Sequence, residues 1–381
     1  MAMIVRAAPG HPPIPPDFPI LVSNQMQIIE PTFAYLIGQA ELRAHSPETI
    51  RTYGEHLYDW FDTLEQSDLA WDKVDEGTIL AYRNRMLETP SPYTGRPYSR
   101  STINDRVRSV CRFYAWAHRR NMIDELPFSY RDAPPVRAAA KGFLAHAAGK
   151  PAPGNMLTVS EYETLPRPLR VNDLRRLLAT LDMPYRLIAE WAVTSGMRRM
   201  ELCALMVDQV PRSDNLNTED HPLVGVPLTV TKGSRRRTVY PPLKLIDRTN
   251  WYIGEDRAAL ITRLRRRNPE YAPSGILFLN KRGLPITKAR MSAAFARGFA
   301  AAGLDGSGHW LRHTFATVML VRLQAEAQHN PDINPLKVLQ VLLGHASIET
   351  TAIYLRCVEL HGDEIAETIE YLYGRVINDA Y

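Results

Sequence analysis

Residues 343–354 determine how the C-terminal half of this 381-residue chain can fold; they read Leu-Gly-His-Ala-Ser-Ile-Glu-Thr-Thr-Ala-Ile-Tyr. Apolar periodicity predicts one helix over 335–343 and a second over 348–355. The glycine at 344 then ends the first helix. This arrangement predicts that His345 lies at a helix end, immediately before the segment that carries Tyr354.

Two earlier segments place arginines at the predicted ends of helices. Residues 194–202 read Thr-Ser-Gly-Met-Arg-Arg-Met-Glu-Leu, and the glycine allows a tight turn where an apolar helix ends. Arg198 follows this turn, and Glu201 lies three residues later, where it can pair with a buried arginine. Residues 309–316 read His-Trp-Leu-Arg-His-Thr-Phe-Ala, and they begin another predicted helix.

A fourth segment places a lysine at a turn. Residues 231–235 read Thr-Lys-Gly-Ser-Arg and lie between predicted strands over 226–230 and 238–240. Other strand signals are few and local. The sequence therefore predicts a mainly α fold with a small antiparallel β-sheet.

Together the four segments closely resemble the tyrosine recombinase (phage integrase) family. That family is recognised by G-[LM]-R-x-x-E-L, by a lysine in a β-hairpin, by H-x-L-R-H, and by L-G-H followed nine residues later by a tyrosine. All four features occur here in that order. The resemblance implies a helical, SAM-like core-binding domain and a catalytic domain with the DNA breaking-rejoining fold.

The resemblance also implies a site-specific DNA recombinase that works without metal, ATP or any cofactor. Tyr354 is then the nucleophile and forms a 3′-phosphotyrosyl ester, which conserves the phosphodiester energy through a Holliday junction. Arg198 and Arg312 bind the non-bridging phosphate oxygens, because guanidinium forks suit them. Lys232 protonates the departing 5′-oxygen.

Supporting roles follow for the remaining polar residues. His309 helps to remove the tyrosine proton or hydrogen-bonds the phosphate, and His345 donates to a phosphate oxygen. Glu201 orients an arginine, and His313 packs or hydrogen-bonds behind the site. His309 and His313 could instead bind zinc, but H-E-x-x-H is absent, so no metal site is expected.

Charge patterning predicts a polyanion surface. The chain has 46 Lys+Arg and 41 Asp+Glu, a net charge of +5, and its basic residues cluster in acid-free stretches. On the helix over 99–120, three arginines fall within about 40° of one another at ~100° per residue; a solvated face is the alternative. The predicted DNA contacts are Arg108, Arg112, Arg119, Arg235, Arg236, Arg237, Lys281, Arg282, Lys288 and Arg290.

Composition and patterning predict five parts of the chain. Residues 1–26 are Pro-rich and predicted to be flexible, 27–128 form the helical DNA-binding domain, and 129–169 form a linker. Residues 170–358 form the catalytic domain. The acidic stretch over 359–381 is a predicted helix for contact with another protomer, although docking on its own domain is equally compatible with its apolar stripe.

The expected partner is double-stranded DNA with inverted-repeat core sites, bound by a homodimer on one site and a homotetramer in the synapse. Three separated cysteines predict a reducing cytoplasm, and the absence of an apolar run of ~18 residues predicts no membrane association. The resemblance implies a bacterial-type cell and association with the nucleoid. A mobile element is the expected setting, since residues 1–26 are too few for an arm-type DNA-binding domain. A type IB topoisomerase and a catalytically idle DNA-binding regulator are the alternatives.

Overall fold

A computed structural model provides the structure of the chain. It describes residues 2–10, 14–41, 45–92, 94–129, 157–161, 165–212, 224–230, 237–348 and 350–355. The chain divides into two compact units, Met1–Glu163 and Thr164–Tyr381. The division falls inside the predicted linker.

The N-terminal unit begins with a β-hairpin. Strand β1 (Met3–Arg6) pairs antiparallel with β2 (Pro19–Val22), and Leu21 is fully buried. The Pro19 ring packs so closely on helix α2 that a Cβ at Gly54 would lie 2.6 Å from it. The structure therefore differs from the flexible segment that the prolines predict, because the apolar side chains between them bury surface against α2.

Four helices form the body of this unit: α1 (Glu30–Glu41), α2 (Pro47–Gln66), α3 (Glu76–Glu88) and α4 (Arg100–Arg119). The last three begin with capping side chains, since Ser46, Asp75 and Ser99 each accept a hydrogen bond from a backbone N–H three residues later. Helix α1 was not predicted from the sequence. Aromatic rings fill the core between the helices, and Trp60 and Tyr82 meet edge to face at 5.1 Å.

A buried carboxylate connects three of these helices. Asp59 of α2 accepts a hydrogen bond from the Tyr82 hydroxyl of α3 at 2.7 Å. It also pairs with Arg85 of α3 at 3.1 Å and with Arg106 of α4 at 2.6 Å. We call these four residues the Asp59 cluster.

Residues 157–161 pack on α4, although the sequence places them in the linker. The Asn104 amide donates to the Val159 carbonyl and accepts from its N–H, both at 2.8 Å, and Leu157 is buried. This part of the predicted linker therefore belongs to the N-terminal unit. Residues 130–156 and 162–164 lie outside the described residues.

The described residues of the C-terminal unit are mainly helical, with one short antiparallel pair of strands. Its elements are α5 (Val171–Thr180), α6 (Tyr185–Ser195), α7 (Arg199–Ala204), β3 (Val226–Leu228), β4 (Arg237–Val239), α8 (Leu243–Tyr252), α9 (Ala258–Arg267), α10 (Lys288–Ala301), α11 (His309–His329) and α12 (Pro335–Leu343). A π-helical turn, Ile253–Arg257, joins α8 to α9, and residues 350–355 are helical.

Helix α11 packs against α6 and α12, and the motifs singled out in the sequence lie at the ends of these three helices. Trp191 of α6 is fully buried, and its indole N–H donates to Thr249 of α8 at 3.0 Å. Helix α8 was not predicted, because its basic and proline-rich start resembles a loop. The mainly α fold with small antiparallel sheets is confirmed, with two two-stranded sheets in the described residues. No helix within those residues combines the length and apolarity that crossing a bilayer requires.

Candidate active site

The C-terminus of α12 lies among three arginines. Three successive backbone carbonyls, of residues 342–344, accept hydrogen bonds from Arg237, from Arg312 at 2.8 Å and from Arg198 at 3.1 Å, in that order. Gly344 ends the helix in the left-handed conformation, at φ +62°. The last carbonyls of a helix lack intrahelical partners and carry its negative dipole end, so they suit cationic donors.

Glu201 holds two of these arginines from the opposite side. It lies in the first turn of α7, is buried, and accepts from the Arg198 backbone N–H at 2.6 Å and from the Arg198 guanidinium at 3.2 Å. Arg237 binds the same carboxylate with a fork, Nε at 3.2 Å and Nη2 at 2.6 Å. Burial alone would raise the pKa of Glu201, but the hydrogen bonds and charges of Arg237 and Arg198 lower it below its usual value.

Arg312 occupies the buried centre of the site, with 2% of its surface exposed. Its Nη1 donates to the carbonyl of Gly196, the left-handed residue that ends α6. Burial and the positive charges of Arg198 and Arg237 lower the pKa of Arg312 to about 9, so it remains charged at neutral pH.

Tyr354 is buried beside two histidines, with 3% of its surface exposed. Its hydroxyl oxygen lies 2.9 Å from His313 Nδ1. Its ring is nearly parallel to that of His345, at 9° with centroids 6.5 Å apart. The nine-residue spacing in the sequence thus brings the imidazole and the phenol of one segment side by side.

The hydrogen bonds of His345 specify its tautomer. Arg312 Nη2 lies 3.1 Å from His345 Nε2, and arginine can only donate, so Nε2 accepts. Nδ1 then carries the hydrogen and donates to Thr351 Oγ1 at 2.9 Å. In this structure His345 therefore accepts from Arg312 at Nε2, and its one hydrogen, on Nδ1, is bound to Thr351.

All three histidines of the site have lowered pKa values. Burial, followed by the charge of Arg312, lowers the pKa of His345 to about 3. Burial and the neighbouring His309 lower that of His313 to about 4, and loss of surrounding water with nearby arginine charge lowers that of His309. Each ring is neutral at physiological pH and presents one accepting nitrogen.

Two family models match the chain. The phage integrase family model matches residues 167–360, and the phage integrase N-terminal SAM-like domain matches residues 33–121. The chain belongs to the phage integrase family. Its members, the tyrosine recombinases, cleave and rejoin DNA strands, so the predicted family and enzyme class are confirmed.

Relatives and solved structures agree with this membership. Tyrosine recombinase XerC of Halalkalibacterium halodurans is 27% identical over 330 residues, covering 84% of this chain and 90% of that protein. XerC of Mycobacterium tuberculosis is 29% identical over 322 residues, covering 81% and 88%. Of the solved folds, XerH bound to palindromic difH has a TM-score of 0.53 at 21% identity, covering 86% of this chain and 82% of that one. A lambda integrase dimer on a COC′ core site has a TM-score of 0.53 at 14% identity, covering 85% and 76%.

The structure of this tyrosine recombinase brings together Arg198, Glu201, Arg312, His313, His345 and Tyr354. His309 is exposed over part of its surface, while its ring packs against that of His313 with the centroids 4.3 Å apart. Within the described part of the chain no cluster of three metal-ligand side chains occurs. Lys232, Arg235 and Arg236 lie outside the described residues.

Arg237 corrects one prediction. The sequence groups it with surface arginines that contact DNA, but its side chain is only 6% exposed and is bound to Glu201. It was misassigned because three consecutive arginines show no inward or outward pattern. Thr351, the partner of His345, was missed for a similar reason, since nothing local distinguishes it from Thr350.

The other predicted DNA contacts that fall within the described residues lie at the surfaces of the two units. On α4, Arg108 pairs with Asp105 and Glu161 at 3.3 Å each, and Arg112 lies 5.9 Å from the Tyr53 ring centroid. Arg119 is exposed at the end of that helix. In the C-terminal unit, Lys281 and Arg282 are exposed at a turn, while Lys288 is half-buried and Arg290 exposed at the start of α10.

Proposed function

We propose that this tyrosine recombinase acts at specific DNA sites and that Tyr354 attacks the scissile phosphate. The observation that supports this role most directly is the Tyr354 hydroxyl, 2.9 Å from the neutral His313 imidazole and next to buried arginines. The attack forms a bond between the tyrosine oxygen and phosphorus, breaks the bond to the 5′-oxygen, and leaves a 3′-phosphotyrosyl ester.

Arg198 and Arg312 stabilise the charge that develops on the non-bridging oxygens. Both are fixed by backbone carbonyls before any substrate arrives, so they need little reorganisation during the reaction. Preorganised donors of this kind each contribute about 10²–10³ in rate. His345 lies beside Arg312. It can donate to the same oxygens once the guanidinium releases Nε2 and its hydrogen shifts from Nδ1 to Nε2.

Proton transfers complete the step. His313 Nδ1 accepts the Tyr354 proton in the tautomer with hydrogen on Nε2, and His309 hydrogen-bonds the phosphate from the exposed side. Lys232 protonates the 5′-oxygen as it leaves. The reverse sequence rejoins the strand, so the bond energy is retained without nucleotide hydrolysis.

We propose double-stranded DNA with inverted core sites as the partner, one protomer per half-site, with two dimers forming a tetramer that exchanges strands through a Holliday junction. The support is similarity of fold to XerH bound to difH and to the lambda integrase dimer on its core site. The exposed arginines of α4 and the basic residues near α10 are the proposed phosphate contacts.

We further propose that the sites belong to a mobile element. The support is the phage integrase family model together with similarity of fold to the Tn1549 transposon integrase, at a TM-score of 0.50 and 20% identity. Amplification across the joint left by excision should succeed from cells with the wild-type chain and fail with Tyr354→Phe. A joint that forms equally in both, or sites that do not flank the encoding gene, would contradict the mobile-element role.

Covalent trapping tests the catalytic proposal. Nicked suicide duplexes, made from DNA that flanks the encoding gene, should give an SDS-resistant adduct with the wild-type chain. Tyr354→Phe should bind the same DNA in a gel shift but form no adduct. Tyr240→Phe removes an exposed phenol from the same unit and should react like wild type. An adduct with Tyr354→Phe would show that another residue is the nucleophile.

A further inference from the structure

Arg237 occupies a position at which several parts of the site meet. It is the first residue of β4 and lies five residues after Lys232 in the sequence. All three of its guanidinium nitrogens are engaged: Nε and Nη2 on Glu201, and Nη1 on the Leu342 carbonyl at the end of α12. Nη2 also lies 3.4 Å from the Gly196 carbonyl.

These contacts place Arg237 next to the groups that hold Arg198 and Arg312, the two arginines proposed to bind the phosphate. It shares Glu201 with Arg198, and it shares the Gly196 carbonyl with Arg312. A Cβ built on Gly344 would lie 2.6 Å from Arg237 Cδ, so the glycine and the arginine fit closely at the turn before His345. Arg237 therefore contacts groups that support Arg198 and Arg312, and it packs against the turn that precedes His345.

We propose that Arg237 is a positioning residue, which sets the Arg198 and Arg312 guanidiniums for catalysis by holding Glu201 and the end of α12. The proposal rests on the proposed function, since it assumes that these two arginines bind the scissile phosphate. Arg237, at the start of β4, then has a role distinct from the proton donation proposed for Lys232.

The geometry requires a planar fork at this position. Arginine can place two parallel donors on one carboxylate and still donate sideways to a carbonyl, whereas lysine has a single point of charge. Arg237→Lys should therefore keep the charge next to Glu201 and lose the bond to α12. It is also the variant that keeps the buried carboxylate paired, so it should remain folded.

A suicide cleavage assay separates positioning from a purely structural role. With DNA in saturating excess over protein, the amplitude of adduct formation reports the competent fraction, and the rate constant reports cleavage within it. Arg237→Lys should lower the rate constant about 100-fold, the typical cost of misplaced catalytic groups. Its amplitude and its affinity for DNA should stay within twofold of wild type.

The matched control is Arg176→Gln, which removes an arginine from an exposed i,i+3 pair with Asp173 in the same unit. It should match wild type in both amplitude and rate. A fall in the Arg237→Lys amplitude with an unchanged rate constant would overturn the proposal, because it would show that Arg237 only supports folding.

A double variant tests the route through Glu201. If Arg237 acts through this carboxylate, Glu201→Gln combined with Arg237→Lys should cleave no more slowly than the slower single variant. Multiplicative losses would contradict that route.

Failure of the proposed function has a different signature. If the wild-type chain forms no adduct on any tested duplex, catalysis by Tyr354 is in doubt, and Arg237 is then tested without DNA. In ¹⁵N-arginine NMR spectra, the Arg198 and Arg312 guanidinium signals should shift in Arg237→Lys and stay unchanged in Arg176→Gln. Unshifted Arg198 and Arg312 signals in Arg237→Lys would overturn the positioning role.

Discussion

The two units each bury a carboxylate between arginines, and they use it differently. In the Asp59 cluster, Arg85, Arg106 and the Tyr82 hydroxyl all converge on one carboxylate and connect α2, α3 and α4. Around Glu201, in contrast, the arginines extend past the carboxylate to the carbonyls at the end of α12.

The difference shows that a buried ion pair is not in itself a sign of chemistry. Burial and the Asp59 charge raise the pKa of Tyr82 well above its usual value, so this hydroxyl stays protonated and the cluster acts as a structural link. In the C-terminal unit, Arg237 shares the Gly196 carbonyl with Arg312, which contacts the neutral His345 imidazole, and the Tyr354 phenol lies against His313. What the far ends of the arginines contact therefore distinguishes the two networks.

Asp59→Asn should disrupt the Asp59 cluster and should cause the largest loss of stability among the proposed variants. It leaves Arg106 half-buried without a counter-charge, and such a loss typically costs about 3–5 kcal/mol. Chemical denaturation measures the loss. The cleavage rate constant of the folded fraction should not change; a large fall in this rate would mean that the Asp59 cluster also serves catalysis.

Arg312→Gln, in the C-terminal unit, should lower the rate constant of cleavage far more than it lowers stability. Removing a preorganised donor should slow adduct formation about 10²–10³-fold, with a smaller change in DNA affinity. Arg85→Gln is the matched change in the Asp59 cluster and should leave the rate constant near that of wild type. Equal losses in the two variants would remove the distinction between the networks.

Gly344→Ala should combine a modest loss of stability with a loss of rate. A non-glycine residue in the left-handed region costs about 1–2 kcal/mol, and the new methyl group meets Arg237. Gly303→Ala is the control, because its φ of +66° is similar but nothing lies within 4 Å of its Cβ. Both should lose stability by denaturation, Gly344→Ala the more because of its contact with Arg237, and only Gly344→Ala should also cleave slowly.

Acid should destabilise the C-terminal unit more than the N-terminal one. Burial lowers the pKa of His345 to about 3 and that of His313 to about 4, and in the N-terminal unit that of His56 to about 4. An unfolded chain binds these protons below about pH 6.5, so stability is present above that pH and is lost as the pH falls toward 4. Thermal midpoints should decline between pH 7 and pH 5, with most of the decline retained in His56→Gln. A flat profile would contradict the buried, neutral histidines.

The sequence predicted the elements whose periodicity is strong. The helix over 335–343 matches the structure at both ends, since Pro335 suits its first turn and Gly344 ends it. It did not predict the β1–β2 hairpin, because six prolines within residues 1–26 resemble an extended segment. Whether such a segment is free or packed depends on the distant surface of α2, which local patterns do not describe.

The sequence predicted which residues form the site more completely than it predicted their contacts. The sequence identified Tyr354, His345 and Arg312 as neighbours from the family motifs. It could not reveal that Arg237 points inward, because the partner carbonyl at residue 342 lies 105 residues away along the chain. Nor could it show that His313 contacts the phenol, since a histidine one turn after His309 suits several roles.

The most direct test of the central claim is to identify the residue that becomes attached to DNA. After trapping on a suicide duplex, nuclease and trypsin digestion should give the peptide of residues 338–356, in which Tyr354 is the only tyrosine. Mass spectrometry should find the nucleotide remnant on Tyr354. A remnant on any other residue, or on a different peptide, would contradict the account.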